Sequence, residues 1–255
     1  MQIIASMLLS AVLGFFFTLT PNIFQGGEVN EQVNKSTTLA PGSNVRISGI
    51  NGRVSIETWD GEQAEINITI KASDREAMER RPLLVDYTAN SLTIRTENDR
   101  EGKGWGRERG WVRHDVRLKL PRAIDLKVNG VNGAVNVGQI TGVAELSGIN
   151  GRVDVAQAGT ASQLSGINGR TSITLLRLGD GGLRVSGING GVEIGLPATA
   201  NADVDVSGIN GGVDSDLPIT VIGEMRRGQL RGKLGAGGPA IRVSGINGGV
   251  TLRRN

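Results

Sequence analysis

The stretch Ser147-Gly-Ile-Asn-Gly151 decides the fold, because the same five residues recur along the chain. A variant copy, Asn-Gly-Val-Asn-Gly, begins at Asn129. The six identical copies begin at Ser48, Ser147, Ser165, Ser186, Ser207 and Ser244. From one motif asparagine to the next, the copies are 81, 18, 18, 21, 21 and 37 residues apart. A short motif at near-constant spacing is typical of a stacked-repeat architecture.

Aliphatic side chains occupy the same places in every copy of the motif. The residue directly before each motif asparagine is Ile or Val, and the residue four before it is Ile, Leu or Val. Polar residues alternate with these apolar positions, as Arg46 and Ser55 do around the first copy. This alternation, with β-branched residues at the apolar positions, indicates a half-buried strand on each side of the motif.

Two architectures are compatible with Asn-Gly between alternating runs. A two-residue β-hairpin turn has this signature, but a hairpin array would place the Ile or Val before each asparagine on the charged face. The chain can instead turn a corner at the motif, where glycine or asparagine residues in the left-handed conformation shift the inward–outward alternation by one residue. The aliphatic residues at the same position in every copy, which form a column, then all point inward. We therefore predict an all-β protein, a single-stranded β-helix (solenoid) of about ten coils, rather than a hairpin array, propeller or sandwich. Degenerate coils are expected within residues 57–127 and 216–240, where the copies are far apart.

Stacked coils would place the motif asparagines above one another, about 4.8 Å apart. Each side-chain amide can then bond the corner backbone and its copies in the neighbouring coils, as in asparagine ladders. We expect a structural corner ladder, rather than a ligand site, at Asn51, Asn132, Asn150, Asn168, Asn189, Asn210 and Asn247.

Composition narrows the function classes. The 255 residues include 39 glycines, eight aromatic residues, no cysteine and one histidine, which suits a narrow solenoid better than a globular enzyme. The net charge of +3 gives no electrostatic reason to expect a nucleic-acid partner. A serine triad would depend on His114 alone. We expect no catalytic residues, no cofactor and no metal site.

The amino terminus differs from the rest of the chain. Residues 3–20 carry no charge and are dominated by Leu, Phe, Val and Met. Residues 1–21 are therefore predicted to be an export signal peptide or a helical membrane anchor, with cleavage left open. A polar linker is expected over residues 22–44, and one β-helix domain over residues 45–255. The only helical turn expected after residue 25 lies at residues 74–81.

Three further stretches carry a family resemblance. They are VSIETWDG at 54–61, VRLKLPRAIDLKV at 116–128 and RGKLGAGGPAIRVSGINGGVTL at 231–252. With the repeats, they make residues 45–252 resemble the bacterial putative-adhesin domain family of unknown function, which is related to the head GIN domain of putative auto-transporter adhesins. The resemblance implies an exported β-helical domain, in the periplasm or at the cell surface, and it offers no catalytic residue to carry over.

The chain departs from that family in a charged loop at residues 98–114, which is rich in Arg, Gly and Trp. Exposed tryptophan beside arginine is typical of binding hot spots. Trp105, Trp111, Arg107 and Arg109 are therefore candidate contacts for a sugar, a lipid headgroup or a protein. The alternative is a surface loop that folds its indoles onto the coil.

These features together predict a non-catalytic, exported binding module of the cell surface or envelope, with an adhesin-like role towards a glycan or a protein. One alternative is a self-assembling envelope scaffold, because the ends of a solenoid expose strand edges that can stack. Arg253 and Arg254 would weaken such stacking at a carboxyl-terminal end by like-charge repulsion. The other alternative is a carbohydrate-active β-helix enzyme that uses surface carboxylates.

Overall fold

The computed structural model describes residues 27–97, 110–222 and 228–255, which form two large β-sheets and one short helix, α1 (Arg75–Glu79). The strands are β1 (Val29–Thr38), β2 (Ser43–Ser48), β3 (Val54–Trp59), β4 (Gln63–Ala72), β5 (Leu83–Thr88), β6 (Ser91–Thr96), β7 (Val112–Pro121), β8 (Ile124–Val131), β9 (Val135–Gln139), β10 (Val143–Ile149), β11 (Val153–Ala158), β12 (Thr160–Asn168), β13 (Thr171–Leu175), β14 (Leu183–Asn189), β15 (Val192–Leu196), β16 (Ala202–Ile209), β17 (Val213–Ser215), β18 (Ile219–Val221), β19 (Leu230–Leu234), β20 (Ala240–Ile246) and β21 (Val250–Arg254). The predicted all-β class is confirmed.

The strands alternate between the two sheets at every copy of the motif. Sheet I has the order β1-β4-β7-β3-β9-β11-β13-β15-β21-β17, and sheet II has the order β18-β19-β16-β20-β14-β12-β10-β8-β2-β6-β5. At each of the seven motif copies, the chain passes from a strand of sheet II to the next strand along the sequence, which belongs to sheet I. The repeat strands pair in parallel with the motifs in register, so that Ile149 lies beside Ile167 and Val131.

The core lies between the two sheets and is built from the aliphatic columns. The Ile or Val before each motif asparagine is at most 7 % exposed in all seven copies. The strands before and after the motif lie in different sheets, so the hairpin array is wrong for these seven corners. The slip in the alternation comes from the glycine before each isoleucine, which has a φ between 59° and 68°. Among the described residues only glycines have positive φ, so asparagine does not share this role.

The second glycine of the motif is required for another reason. A Cβ atom on Gly151 would lie 2.3 Å from the carbonyl oxygen of Gly133, and one on Gly169 would lie 2.4 Å from that of Gly151. Successive corners therefore stack too closely for any side chain at this position.

Between the first two motif copies the expectation of degenerate coils is met only by β6 and β7, which pair in parallel with β2 and β3. The other elements of this stretch do not form coils. β4 runs antiparallel to β1 and β7, β5 runs antiparallel to β6, and α1 follows β4. Residues 216–240 likewise hold β18 and β19, which are antiparallel to each other. The period-two pattern identified the strands correctly, but it is identical for parallel and antiparallel neighbours.

The predicted linker over residues 22–44 also needs correction, because β1 occupies residues 29–38. Only Val29 and Val33 are aliphatic in this strand. It is the outermost strand of sheet I, and its inward side chains are only half-buried, which weakens the apolar signal. The predicted helical turn at 74–81 is confirmed as α1.

The strands β20 and β21 do not lie at an edge of their sheets. β20 lies between β14 and β16, and β21 lies between β15 and β17. Arg253 and Arg254 pair in register with Gly195 and Leu196, and Arg253 Nε lies 2.8 Å from Glu193 Oε1. The expectation that these arginines repel a stacked copy is therefore wrong. The antiparallel strands β18 and β19 extend the sheet II edge beyond β16, and the chain then returns to the gap beside β14.

No helix within the described ranges is long and apolar enough to cross a membrane. The apolar segment at residues 3–20 lies outside those ranges.

Candidate binding surface

The seven motif asparagines form one hydrogen-bonded row along the corner between the sheets. In every motif asparagine except Asn51, the side-chain Nδ2 donates to the Oδ1 of a neighbouring one over 2.9–3.3 Å. In spatial order the row is Asn51, Asn132, Asn150, Asn168, Asn189, Asn247 and Asn210. All seven side chains are exposed, so the row is also a regular polar strip on the surface.

The row begins at the base of the charged loop. Asn51 Nδ2 donates to the carbonyl oxygen of Val112 over 2.5 Å, at the first residue of β7. The preceding residue, Trp111, is held through its backbone. Its N–H donates to Ser73 Oγ over 3.1 Å, and its carbonyl accepts from the Ser73 N–H over 3.0 Å. The Trp111 side chain is 43 % exposed, so a fixed backbone presents an accessible indole.

Only part of the predicted hot spot can be placed. Trp105, Arg107 and Arg109 lie outside the described residues. Trp111 therefore stands as the one candidate of that group with a defined position, next to the first member of the asparagine row.

A groove of about 460 Å³ crosses the outer face of sheet I. One row of its lining consists of Ser55, Asn136, Asp154 and Ser172, which lie side by side on β3, β9, β11 and β13. The adjacent lining includes Gly138 and Ala156, which are too small to fill the space between the longer side chains. The groove thus offers hydroxyl, amide and carboxylate groups at the strand spacing of about 4.8 Å.

An arginine column borders this groove at the corner. Arg152 Nε lies 2.5 Å from Asp154 Oδ2, and Arg152 Nη2 donates to Asp154 Oδ1 over 3.0 Å. The hydrogen bond that Arg152 donates to Asp154, together with the negative charge of that carboxylate, raises the pKa of Arg152. Arg53 and Arg170 occupy the same motif position and are exposed. The groove therefore carries both a fixed carboxylate and neighbouring cations.

The outer face of sheet II bears a second regular row, formed by the first residue of each motif. In spatial order it is Ser48, Asn129, Ser147, Ser165, Ser186, Ser244 and Ser207. Beside it, Lys127 Nζ lies 2.7 Å from Glu145 Oε2. The sequence analysis did not predict this row. The signal was present, because the first residue of the motif is polar in every copy.

Two further side chains, the buried His114 and the half-buried Trp59, are packed by the protein itself. His114 is 2 % exposed, and neither ring nitrogen has a hydrogen-bond partner among the described residues. Burial, with the nearby positive charge of Arg81, lowers the pKa of His114 to about 4. Trp59 has Lys119 Nζ 4.7 Å from its ring centroid, and a Cβ on Gly61 would lie 2.6 Å from the ring. The Trp59 ring is therefore packed by its own chain.

Within the described parts of the chain, no three His, Asp or Glu side chains gather as a set of metal ligands. Asp203, Asp205, Asp214 and Asp216 lie in or beside β16 and β17 without forming such a set.

No protein-family model and no curated protein matches the chain. Similar solved structures include a putative cell adhesion protein from Clostridium sporogenes, with 9 % identity, a TM-score of 0.43, and coverage of 88 % of this chain and 100 % of that one. A putative adhesin from Bacteroides fragilis has 13 % identity and a TM-score of 0.33, over 88 % of this chain and 97 % of that one. One from Parabacteroides merdae has 16 % identity and a TM-score of 0.29, over 88 % and 96 %. Similarity at this level does not establish a shared fold or function.

Proposed function

We propose that this chain is an exported binding module of the cell surface or envelope, which presents rigid sheet faces to a glycan or a protein and performs no catalysis. In this proposal the repeat-bearing part acts as a single-stranded β-helix whose coils are joined at the asparagine corner. Export is supported by the uncharged apolar segment at residues 3–20.

The observation that carries the proposal is the groove on sheet I. Ser55, Asn136, Asp154 and Ser172 point outward from four parallel strands whose inward neighbours are buried, so their spacing is fixed by the sheet. Sites built on strands hold their side chains more accurately than sites built on loops. A row of hydroxyl, amide and carboxylate side chains beside the small residues Gly138 and Ala156 suits an extended, polyhydroxylated chain such as a glycan.

Trp111 is a second proposed contact, near the corner where Asn51 donates to the carbonyl of Val112. It directly precedes β7, and β7 is the neighbour of β3 in the same sheet. An exposed indole supplies a large, rigid contact area, and its N–H can bond a polar ligand. In the proposed module, the groove supplies hydrogen bonds and Trp111 supplies apolar contact.

The non-catalytic part of the proposal is supported by the position of the only imidazole. His114 lies in the core with its ring buried, so it cannot reach a substrate in the groove without a rearrangement of β7. Asp154, the carboxylate in the groove row, is held in an ion pair with Arg152.

The test is binding of the purified chain to a glycan array and to whole bacterial cells, with groove-filling variants. Ala156→Trp places a large side chain in the groove. The control, Gln163→Trp, introduces the same side chain at an exposed position on the outer face of sheet II. We expect the first variant to lose binding by tenfold or more and the second to retain it. Equal binding by both variants would remove the groove from the proposal, and glycan fragments released during incubation would contradict the absence of catalysis.

A further inference from the structure

β1 is a long edge strand with one unoccupied side. All ten of its residues pair with β4, from Val29 beside Ala72 to Thr38 beside Gln63. Among the described residues no strand pairs with its other side. An edge of this length exposes a row of backbone N–H and C=O groups that can accept another strand. At the opposite end of the sheets, the outermost strands β17 and β18 are only three residues long.

The core is also incompletely covered beside β1. Val29 and Val33 of β1, and Leu83 and Val85 of β5, pack against the core but are only partly buried. Tyr87 on β5 is 45 % exposed, and Lys35 Nζ lies 5.8 Å from the centroid of its ring. Aliphatic and aromatic surface therefore reaches solvent where both sheets end.

The sequence of β1 is complementary to itself in one antiparallel register. If Val33 lies opposite the Val33 of a second copy, Glu31 lies opposite Lys35 and Lys35 lies opposite Glu31. These side chains share one face of the strand with Val29 and Val33, because all four have odd numbers. A two-fold axis at residue 31 or at residue 35 would instead oppose like charges, and an axis at residue 32 or 34 would oppose each charge with an uncharged residue.

We propose that two copies of this chain associate through β1, antiparallel, around a two-fold axis at Val33, so that the two copies of sheet I become one continuous sheet. Opposite charges on facing residues stabilise a strand pair, whereas like charges destabilise it. The same axis brings the half-covered end of each core towards that of the partner. Because a two-fold contact uses the same surface on both copies, the assembly closes as a dimer and does not grow into a filament.

Disulfide trapping tests the register directly, because the natural chain has no cysteine. Facing residues of an antiparallel pair have Cα atoms about 4.5–5.5 Å apart, within the range that a disulfide spans. Val33→Cys should therefore form an intermolecular disulfide under mild oxidation of the full-length chain in detergent. Ser36→Cys is the matched control, because the two copies of residue 36 would lie about 20 Å apart along the pair. Efficient trapping at residue 36, or none at residue 33, would overturn the proposal.

Charge reversal tests it without introducing cysteine. Glu31→Lys opposes two lysines at both symmetric positions, and the dimer dissociation constant measured by sedimentation equilibrium should rise roughly tenfold. Lys35→Glu should have the same effect, and the double variant Glu31→Lys with Lys35→Glu should restore the affinity. A dissociation constant that neither single substitution changes, or a chain that stays monomeric at every concentration, would contradict the dimer. Melting of each variant confirms that the fold is retained.

Discussion

The side-chain amide of Asn247 donates to Asn189 Oδ1 over 2.9 Å, although 58 residues separate the two along the chain. The next motif asparagine in the sequence after Asn189 is Asn210, and its Nδ2 instead donates to Asn247 Oδ1 over 3.3 Å. The motif that contains Asn247 therefore lies between two motifs that precede it in the sequence.

Removal of residues 239–255 should consequently disrupt the middle of the sheets. The deletion takes away Ile241, Val243, Ile246, Val250 and Leu252, each at most 1 % exposed. Five such side chains contribute roughly 10 kcal/mol, which is comparable with the total stability of a domain. We expect β16 and β17 to become sensitive to limited proteolysis, while a chain that lacks only Asn255 stays protected. Continued protection of residues 202–215 in the shortened chain would contradict the observed strand order.

Asn150→Ala should lower the melting temperature through the asparagine row. Asn150 donates to Asn132 and accepts from Asn168, so two hydrogen bonds of 2.9 Å are lost. A net contribution of about 0.5–1.5 kcal/mol per hydrogen bond gives an expected loss of about 1–2 kcal/mol at this exposed position. Asn210→Ala, at the end of the row, removes a single 3.3 Å bond and should cost less than half as much. Chemical denaturation measures both, and equal losses would show that the row does not act through these bonds.

The two glycines of one motif should respond differently to alanine. Gly148 has a φ of 60°, and Gly148→Ala should cost about 1–2 kcal/mol through left-handed backbone strain. In Gly151→Ala the new Cβ would meet the Gly133 carbonyl oxygen at 2.3 Å, so the stacked corners must move apart and the loss should be larger. Comparison of the two melting temperatures decides the order. A milder effect at Gly151 would mean that the corners can separate without cost.

Acid should destabilise the fold through His114. Its folded-state pKa is lowered from 6.5 to about 4. Between pH 6.5 and pH 4 the unfolded chain therefore binds a proton at His114 that the folded chain does not bind. The stability is complete above pH 6.5 and falls as the pH drops towards 4, by about 3 kcal/mol for a shift of this size. His114→Leu keeps an apolar side chain in the site and removes the titration. Denaturation at several pH values should show a shallower decline for this variant, since carboxylates titrate equally in both proteins, and parallel curves would contradict the assignment.

The corners were predictable because each motif position carries a separate physical requirement. Gly148 supplies the left-handed residue, Ile149 the buried side chain and Gly151 the close contact, and all three recur in the sequence. The direction of β4 was not predictable, because its apolar alternation is the same for either partner orientation. β1 was missed because an edge strand with half-buried side chains needs few aliphatic residues.

The candidate surface was less predictable than the fold. The groove depends on Gly138 and Ala156 lying together, and these residues are 18 positions apart and differ in type. Their proximity follows from strand register, which places Val137 beside Val155. Trp111, by contrast, was a candidate from its local sequence alone, because tryptophan beside arginine in a surface loop is typical of binding hot spots.

The late position of β20 and β21 in the sequence bears on how the protein acquires its structure. Sheet I cannot become continuous across β15, β21 and β17 until residues 250–254 are available for pairing. Contacts between distant parts of a chain form slowly, because loop closure must precede the gain from pairing. Strands β16 and β17 would therefore dock onto the earlier strands only after β20 and β21 have been synthesised, so this end of the two sheets would be the last to assemble.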